Sequence, residues 1–346
     1  MGLKKSLVLA VYLLIPLFLS PAFAQAPFYQ GKTIRIIVGN SAGEAYDMYA
    51  RTMALFMPKH IPGKPNIIIQ NMPGAGSMIA ANYVYRIAKP DGLTIGAIFP
   101  ALYFDQLIGR KEVQFEWAKY AWIGTPVISE HHMYMRADSP YKTLDDVRNA
   151  KEPPKCGASG TSSTGYYMPK LLEEIFGTKF NIVTGYIGGS DIDLAVERGE
   201  LICRSFTITA YFAREPFFTW RKKGFVRVLF QTSKKRDPRL PDVPTVYEFM
   251  DKYKTPESSK RLAAVVLAAG SVGRPIVGPP GMPPDKVKIF REAFTKTMHD
   301  PEYKAEAEKR RLELHSISGE ELEALAKDVI DQPPDIVQKI KKLLEK

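Results

Sequence analysis

The chain has 346 residues, 45% of them hydrophobic, and carries 48 Lys and Arg against 37 Asp and Glu, a formal net charge of +11. That composition excludes a disordered tail and a collagen-like array, and two cysteines are too few for a disulfide-dense scaffold. No run of five basic residues and no nucleic-acid-binding module is present, so the positive excess reads mostly as solvated surface charge, with a modest bias toward anionic solutes, and no nucleic-acid partner is expected.

The first element is a leader. Lys4 and Lys5 precede an apolar run from Ser6 to Leu19, broken by Tyr12 and Pro16, and Ala22-Phe23-Ala24 is a small-x-small cleavage site. Residues 1–24 read as a cleaved secretory signal peptide, with Gln25 starting the exported chain. The run falls short of the about 20 residues that span a ~30 Å hydrocarbon core. No cysteine follows the cleavage site to carry a lipid, and Gly270, Gly273 and Arg274 end the most apolar internal run, Leu262 to Ala269. No stable membrane insertion is expected. The rest of the chain exceeds the about 250–300 residues at which single cores stop growing, so two domains are expected.

Strands and helices then alternate. Thr33 to Val38 is a β-branched run and predicts a buried strand. A small-residue loop and a helix from about Asp47 to Met57 follow, then a strand over Asn66–Gln70, a helix over about Ser77–Ala88, and a strand over Leu93–Phe99. Ala121-Trp122-Ile123 reads as a crossing strand, after which the pattern restarts. A strand is predicted at His132–Met135, a short helix at Thr143–Asn149, and a second βαβαβ set from Lys155–Ser159 through Phe180–Thr184 to Leu201–Phe206, with Val226–Thr232 as a further strand. Within it Gly177 stops the first helix and Ser190 is expected to cap the second. The last third is mostly helical: Asp285–His299, a capping box at Ser318-x-x-Glu321, and Pro334–Glu345 with Ile336, Ile340, Leu343 and Leu344 at helical spacing. The fold class is therefore α/β, with two lobes, each a mainly parallel sheet flanked by helices, and a ligand cleft between them. The expected first lobe is discontinuous, residues 28–126 and 241–346, and the second is 127–240.

In open α/β sheets ligands bind beyond the carboxyl ends of the strands. Five loops lie there, and they supply the candidate ligand-binding residues: Asn40, Ser41, Ala42, Gly43, Tyr46 and Asp47; Phe99 and Pro100; Ser159, Thr161, Ser162 and Ser163; Tyr186 and Gly188; and Phe206. They are small, hydroxylic and glycine-rich, the character that exposes backbone N–H groups at helix N-termini to carboxylate or phosphate oxygens. Tyr46, Phe99, Tyr103, Tyr166, Tyr167, Tyr186, Phe206 and Tyr211 crowd the same region, as core or as a stacking wall. An enzyme is not expected: no dinucleotide fingerprint, phosphate-binding loop or nucleophile elbow occurs. No cofactor and no metal is expected. His131 and His132 are adjacent and face opposite sides of a strand, and His60, His299 and His315 lack partners at ligand spacing. Cys156 and Cys203 read first as two small buried thiols on neighbouring strands, with a disulfide as the alternative an oxidising compartment permits.

Four ordered motifs resemble a known family. Ile37-Val38-Gly39-Asn40-Ser41-Ala42-Gly43-Glu44-Ala45-Tyr46-Asp47-Met48-Tyr49-Ala50-Arg51 is similar to I-V-P-F-P-A-G-G-G-T-D-x-x-A-R. Asn71-Met72-Pro73-Gly74-Ala75-Gly76 matches N-x-P-G-A-G, Pro90-Asp91-Gly92-Leu93-Thr94 matches P-D-G-x-T, and Leu240 to Val246 matches L-P-D-V-P-T-V. From about Phe28 to its end the chain resembles the extracytoplasmic receptors of tripartite tricarboxylate transporters, the Bug family. The resemblance implies a periplasmic type II binding-protein fold and a monomer that captures a small organic carboxylate, aromatic or extended bodies included. It also implies delivery to one large and one small integral membrane subunit; the alternative is presentation of the same ligand to a membrane sensor kinase. It implies that backbone N–H groups and waters, rather than arginine, hold the carboxylate, and that Asp47 stands beside the ligand; capping or charging the helix N-terminus is its other reading, and the two can coexist. Two departures stand out. Glu44 and Ala45 replace glycines, and a helical apolar stretch replaces the usual aromatic strand between Lys254 and Pro280. An inward Glu44 would repel a second carboxylate.

Overall fold

The computed structural model describes residues 26–345, so the leader lies outside the described residues. Eleven strands form two sheets. In chain order they are β1 Thr33–Val38, β2 Asn66–Asn71, β3 Thr94–Ala97, β4 Ala121–Thr125, β5 His131–Arg136, β6 Lys155–Gly157, β7 Asn181–Val183, β8 Cys203–Thr207, β9 Val226–Gln231, β10 Ile276–Gly278 and β11 Ile317–Ser318.

The first sheet has the order β11-β4-β10-β3-β1-β2 and the second β7-β6-β8-β5-β9. β1 is central in its neighbourhood because Ile34, Ile36, Ile37 and Val38 are apolar on both faces and all fully buried, the signature of a strand covered by helices on both sides. It pairs in parallel with β2 and β3, aligning Ile36 with Ile69 and Ile95. The chain returns much later: β10 inserts antiparallel between β3 and β4, and β11 closes the edge on β4. In the second sheet β6 runs parallel to β7 and β8, while β5 is antiparallel to β8 and β9. The sheets are thus mixed rather than mainly parallel. The βαβ halves are parallel as their helical connections require, and the strands that cross or return are antiparallel.

The apolar stretch after Lys254 is helical over Glu257–Leu267 and Ala269–Val272, but it still ends in a strand, β10. The helix Glu257–Leu267 puts Leu262, Ala263 and Val266 into one core with Leu171 and Leu172 of the helix Thr164–Phe176 and with Ile340 and Leu343 of the helix Pro334–Glu345. Just before it, Phe249 and Tyr253 pack on Phe176 at 6.1 and 5.2 Å. The capping box at Ser318 is present, and Gly177 ends its helix in the left-handed region at φ 69°. Ser190 does not cap: the helix Gly189–Glu197 starts at Gly188, where Asp191 accepts the Gly188 N–H at 3.1 Å. Cys156 and Cys203 are register partners on β6 and β8, Cα atoms 4.5 Å apart, and form a disulfide, so the reading of two free thiols is corrected. No helix among the described residues is long and apolar enough to cross a membrane.

Candidate functional site

The site begins with a close approach. Gly39, at the end of β1, leaves room that a Cβ would take from Ser77, and Ser77 Oγ accepts the Phe99 N–H at 3.2 Å, tying the loop after β3 to the start of the helix Met78–Arg86. The next loop turns at Gly43, φ 78°, and its N–H donates to Asp47 Oδ2 at 2.8 Å. Asp47 also accepts from Arg51 Nε at 2.8 Å and Asn71 Nδ2 at 2.9 Å, while Asn71 Nδ2 reaches the Asn40 carbonyl at 3.0 Å. Burial pushes the Asp47 pKa up, but the bonds from Arg51, Gly43 and Asn71 outweigh it and the net shift is downward. Asp47 is 1% exposed and absent from the cavity wall: it braces the loop from behind.

The loops at the strand ends of both sheets enclose a cavity of about 770 Å³, mouth included. Of the residues expected at the site, Asn40, Tyr46, Phe99, Pro100, Ser159, Ser162, Ser163 and Phe206 line it, and so does Glu44. Ser41, Ala42, Gly43, Asp47, Thr161, Tyr186 and Gly188 do not. Ser41 and Gly188 meet at the rim, and Thr161 and Tyr186 line a separate outer groove with Arg110 and Glu112. Several predicted hydroxyls are already engaged. Ser162 and Thr161 donate to the carboxylate of Asp105, and Ser163 donates to the Gly160 carbonyl at 2.6 Å. Asp105 is buried, and desolvation raises its pKa in spite of those bonds and of Arg110. Of the aromatic residues, Tyr46, Phe99, Tyr167 and Phe206 form the wall, with Tyr46 and Phe99 rings 4.9 Å apart. Tyr103 packs on Phe104 and Trp117, Tyr166 donates to the Leu344 carbonyl, and Tyr211 packs on His132.

Glu44 points inward and across. It is 5% exposed, its Oε1 accepts the Ser190 N–H at 3.1 Å, and its Oε2 accepts Asn40 Nδ2 at 3.3 Å. A carboxylate from the first sheet's loops therefore occupies the N-terminus of the helix Gly189–Glu197.

The wall also contains groups that the loop reading missed. Arg204, Arg214 and Arg274 all line the cavity. Arg204 Nη1 donates to Asp193 Oδ1 at 2.5 Å and to the Gly189 carbonyl at 2.8 Å, and Arg214 Nη2 donates to Asp193 Oδ2 at 2.9 Å. Arg274 is 2% exposed, and its Nη2 donates to Thr207 and Thr209 hydroxyls at 2.8 Å each. It lies 5.4 Å from the Tyr46 ring and 4.9 Å from the Tyr49 ring. Arg274 has no ionic partner among the described residues, and its Nε and Nη1 have no hydrogen-bond partner. Beside it, burial and the Arg274 charge pull the His131 pKa down to about 3, so this imidazole is neutral, with Nε2 3.3 Å from Tyr167 OH. The signal that could have found Arg274 is its place between Gly273 and β10: Gly273, at φ 69°, sits where a Cβ would overlap the Val127 carbonyl, just past the end of β4.

Two of the wall hydroxyls, Ser162 and Ser163, are engaged by the Asp105 carboxylate and the Gly160 carbonyl, and the His131 imidazole is held neutral by burial. Among the described residues no group of three or more His, Cys, Asp or Glu is placed to hold a metal.

A UPF0065 protein from the gbd 5' region of Cupriavidus necator is 26% identical over 325 residues, covering 92% of this chain and 91% of that one. In fold the chain is similar to the periplasmic binding protein BugD, with a TM-score of 0.72 at 19% identity over 91% of this chain and 98% of that one. It is also similar to MatC from Rhodopseudomonas palustris with bound malate, with a TM-score of 0.69 at 18% identity over 90% and 99%. The family description "Tripartite tricarboxylate transporter family receptor" matches residues 49–342, and the chain belongs to that family.

Proposed function

We infer that this receptor captures a small organic carboxylate in the periplasm and passes it, chemically unchanged, to a membrane transporter of one large and one small integral subunit. The carrying observation is the cavity at the strand ends of two sheets, where buried Asn40, His131 and Arg274 and half-buried Arg214 each keep at least one buried polar atom without a partner. Buried polar atoms are nearly always satisfied, so a cluster of orphans around one cavity supports an oxygen-rich guest. Malate in MatC supports the same class of ligand. Asn40, Tyr46, Phe99, Pro100, Ser159, Ser162, Ser163 and Phe206 are the proposed contacts. Ser41, Ala42, Gly43, Asp47, Thr161, Tyr186 and Gly188 are the proposed frame.

The proposed lobes are 28–126 with 241–346, and 127–240, the segment around Phe249 to Val266 resting on the second through the helix Thr164–Phe176. They close on the ligand as a monomer. A thermal-shift screen of organic acids tests the reading, since a ligand that binds only the folded state raises the melting temperature by mass action. At least one carboxylate should raise it and be recovered intact. A screen in which no carboxylate does so, or in which the acid is converted, counts against the receptor assignment.

A further inference from the structure

The cavity has an unequal charge balance. Three guanidinium groups line it, but Arg204 and Arg214 share Asp193, and Glu44 also lies on the wall close enough to act on Arg204. Those four groups cancel. Arg274 is left as one uncompensated positive charge, 2% exposed, with three of its five N–H donors, on Nε and Nη1, unspent. A buried cation without a partner is costly, and a buried guanidinium that keeps its charge calls for an anion.

Glu44 removes a second place for one. A helix N-terminus attracts anions, and that of Gly189–Glu197 opens on the cavity at Gly189. The protein's own carboxylate already takes the Ser190 N–H there. A ligand carboxylate brought to that end would meet the buried Glu44 at close range, where like charges are strongly disfavoured. Beside these charges the wall carries an apolar and aromatic set, Ala45, Tyr46, Phe99, Ile192, Phe206 and Ala210, along with hydroxyls such as Ser159 and Thr164.

Building on the carboxylate-receptor reading above, we propose that Arg274 is the anchor for a single anionic group and that Glu44 excludes a second, so the cavity selects monocarboxylates with an apolar or aromatic body over dicarboxylates.

Matched acids test this. Calorimetric titration of the full exported chain with hexanoate against adipate, and with benzoate against terephthalate, adds one carboxylate to a constant body. The monocarboxylate of at least one pair should bind at least ~10-fold more tightly than its dicarboxylate partner, because rejection by like charge is worth a kcal/mol or more. Glu44→Gln should shrink that gap toward parity. Arg274→Gln should weaken the monocarboxylate by about 30-fold or more, as expected when one side of a buried hydrogen-bonded charge pair is removed. Arg274→Lys, which keeps the charge, should recover part of the loss. Circular dichroism and a cooperative urea transition establish that each variant folds, and the wild-type and Glu44→Gln titrations decide the exclusion even if Arg274→Gln does not. Dicarboxylates that bind wild type as tightly as their partners overturn it. A carboxylate from the wider screen whose affinity is unchanged in folded Arg274→Gln overturns the anchor and leaves the receptor reading standing. Failure of all four acids, and of that screen, removes both.

Discussion

Glu44 stands at the N-cap of the helix Ala45–Phe56 and Asp47 three residues on in its first turn, and their carboxylates do opposite things. Asp47 collects three donors behind the loop, whereas Glu44 leaves the loop's own helix uncapped and crosses to Ser190. Asp47→Ala should therefore act first on stability. It removes the acceptor shared by the exposed Gly43 N–H, the Arg51 guanidinium and the half-buried Asn71 amide, and urea denaturation should register a loss of about 1 kcal/mol. A variant of wild-type stability would mean that the network is not formed. The paired imidazoles make a second test at this scale. His131 and His132 are buried and neutral, and burial chiefly holds both pKa values near 3. Unfolded histidine titrates near 6.5, so between about pH 6.5 and 3 the unfolded chain binds more protons. Stability is complete above that window and declines as pH falls through it. By pH 5 the loss should be about 2 kcal/mol per histidine, before most carboxylates titrate. His132→Phe should remove about half of the slope, and a urea midpoint that stays flat from pH 7 to 5 would contradict the neutral, buried pair.

At the scale of elements, the helix Gly189–Glu197 is where the two halves of the cavity meet. Its first turn holds Glu44, its second holds Asp193 between Arg204 and Arg214, and Gly188 leads into it. Gly188 is extended at φ −156°, a conformation open to any residue, so an alanine there does not strain the backbone. Its Cβ would instead overlap Glu44 Oε1 and press on Ser41 Oγ across the rim. Gly188→Ala should leave the melting temperature of the free protein nearly unchanged while lowering ligand affinity. Equal affinity in calorimetry would mean that the rim does not close on the ligand. Gly189 has no such latitude, because a Cβ there would run into the Arg204 guanidinium.

The whole molecule is held by contacts of very different range. Glu44 with Ser190, Asp105 with Ser162, and Arg274 with Thr207 and Thr209 join loops of the two sheets. Each lies at the cavity or its edge, so under the proposed lobe closure a ligand that reaches both sides adds to these contacts. Small-angle scattering should show a smaller radius of gyration once a tight ligand is bound, and no change at saturation would argue against closure. The disulfide acts elsewhere, within the second sheet, where it ties β6 to β8 across 47 residues of sequence. Replacing Cys156 and Cys203 with Ser should cost about 2–4 kcal/mol. Intact mass before and after reduction checks the bond itself, and two free thiols in the oxidised protein would rule it out.

The alternation of β-branched runs with amphipathic helices determined most of the architecture unaided, because strand and helix each impose a short-range period. Thr33–Val38, Asn66–Asn71 and the box at Ser318 lie where local chemistry put them. The loops at the strand ends were legible for the same reason, and Asn40, Tyr46, Phe99 and Ser163 do reach one cavity. Local rules could not decide direction or partner. Whether a carboxylate at this helix start faces the cavity, as Glu44 does, or its support, as Asp47 does, depends on donors at Ser190 and Asn71 that sequence spacing does not bring near. Arg274 was invisible in the same way. Its charge becomes a feature of the site because the chain returns after Gly273 to lay β10 between β3 and β4, and there the fold leaves that guanidinium buried without an acid beside it.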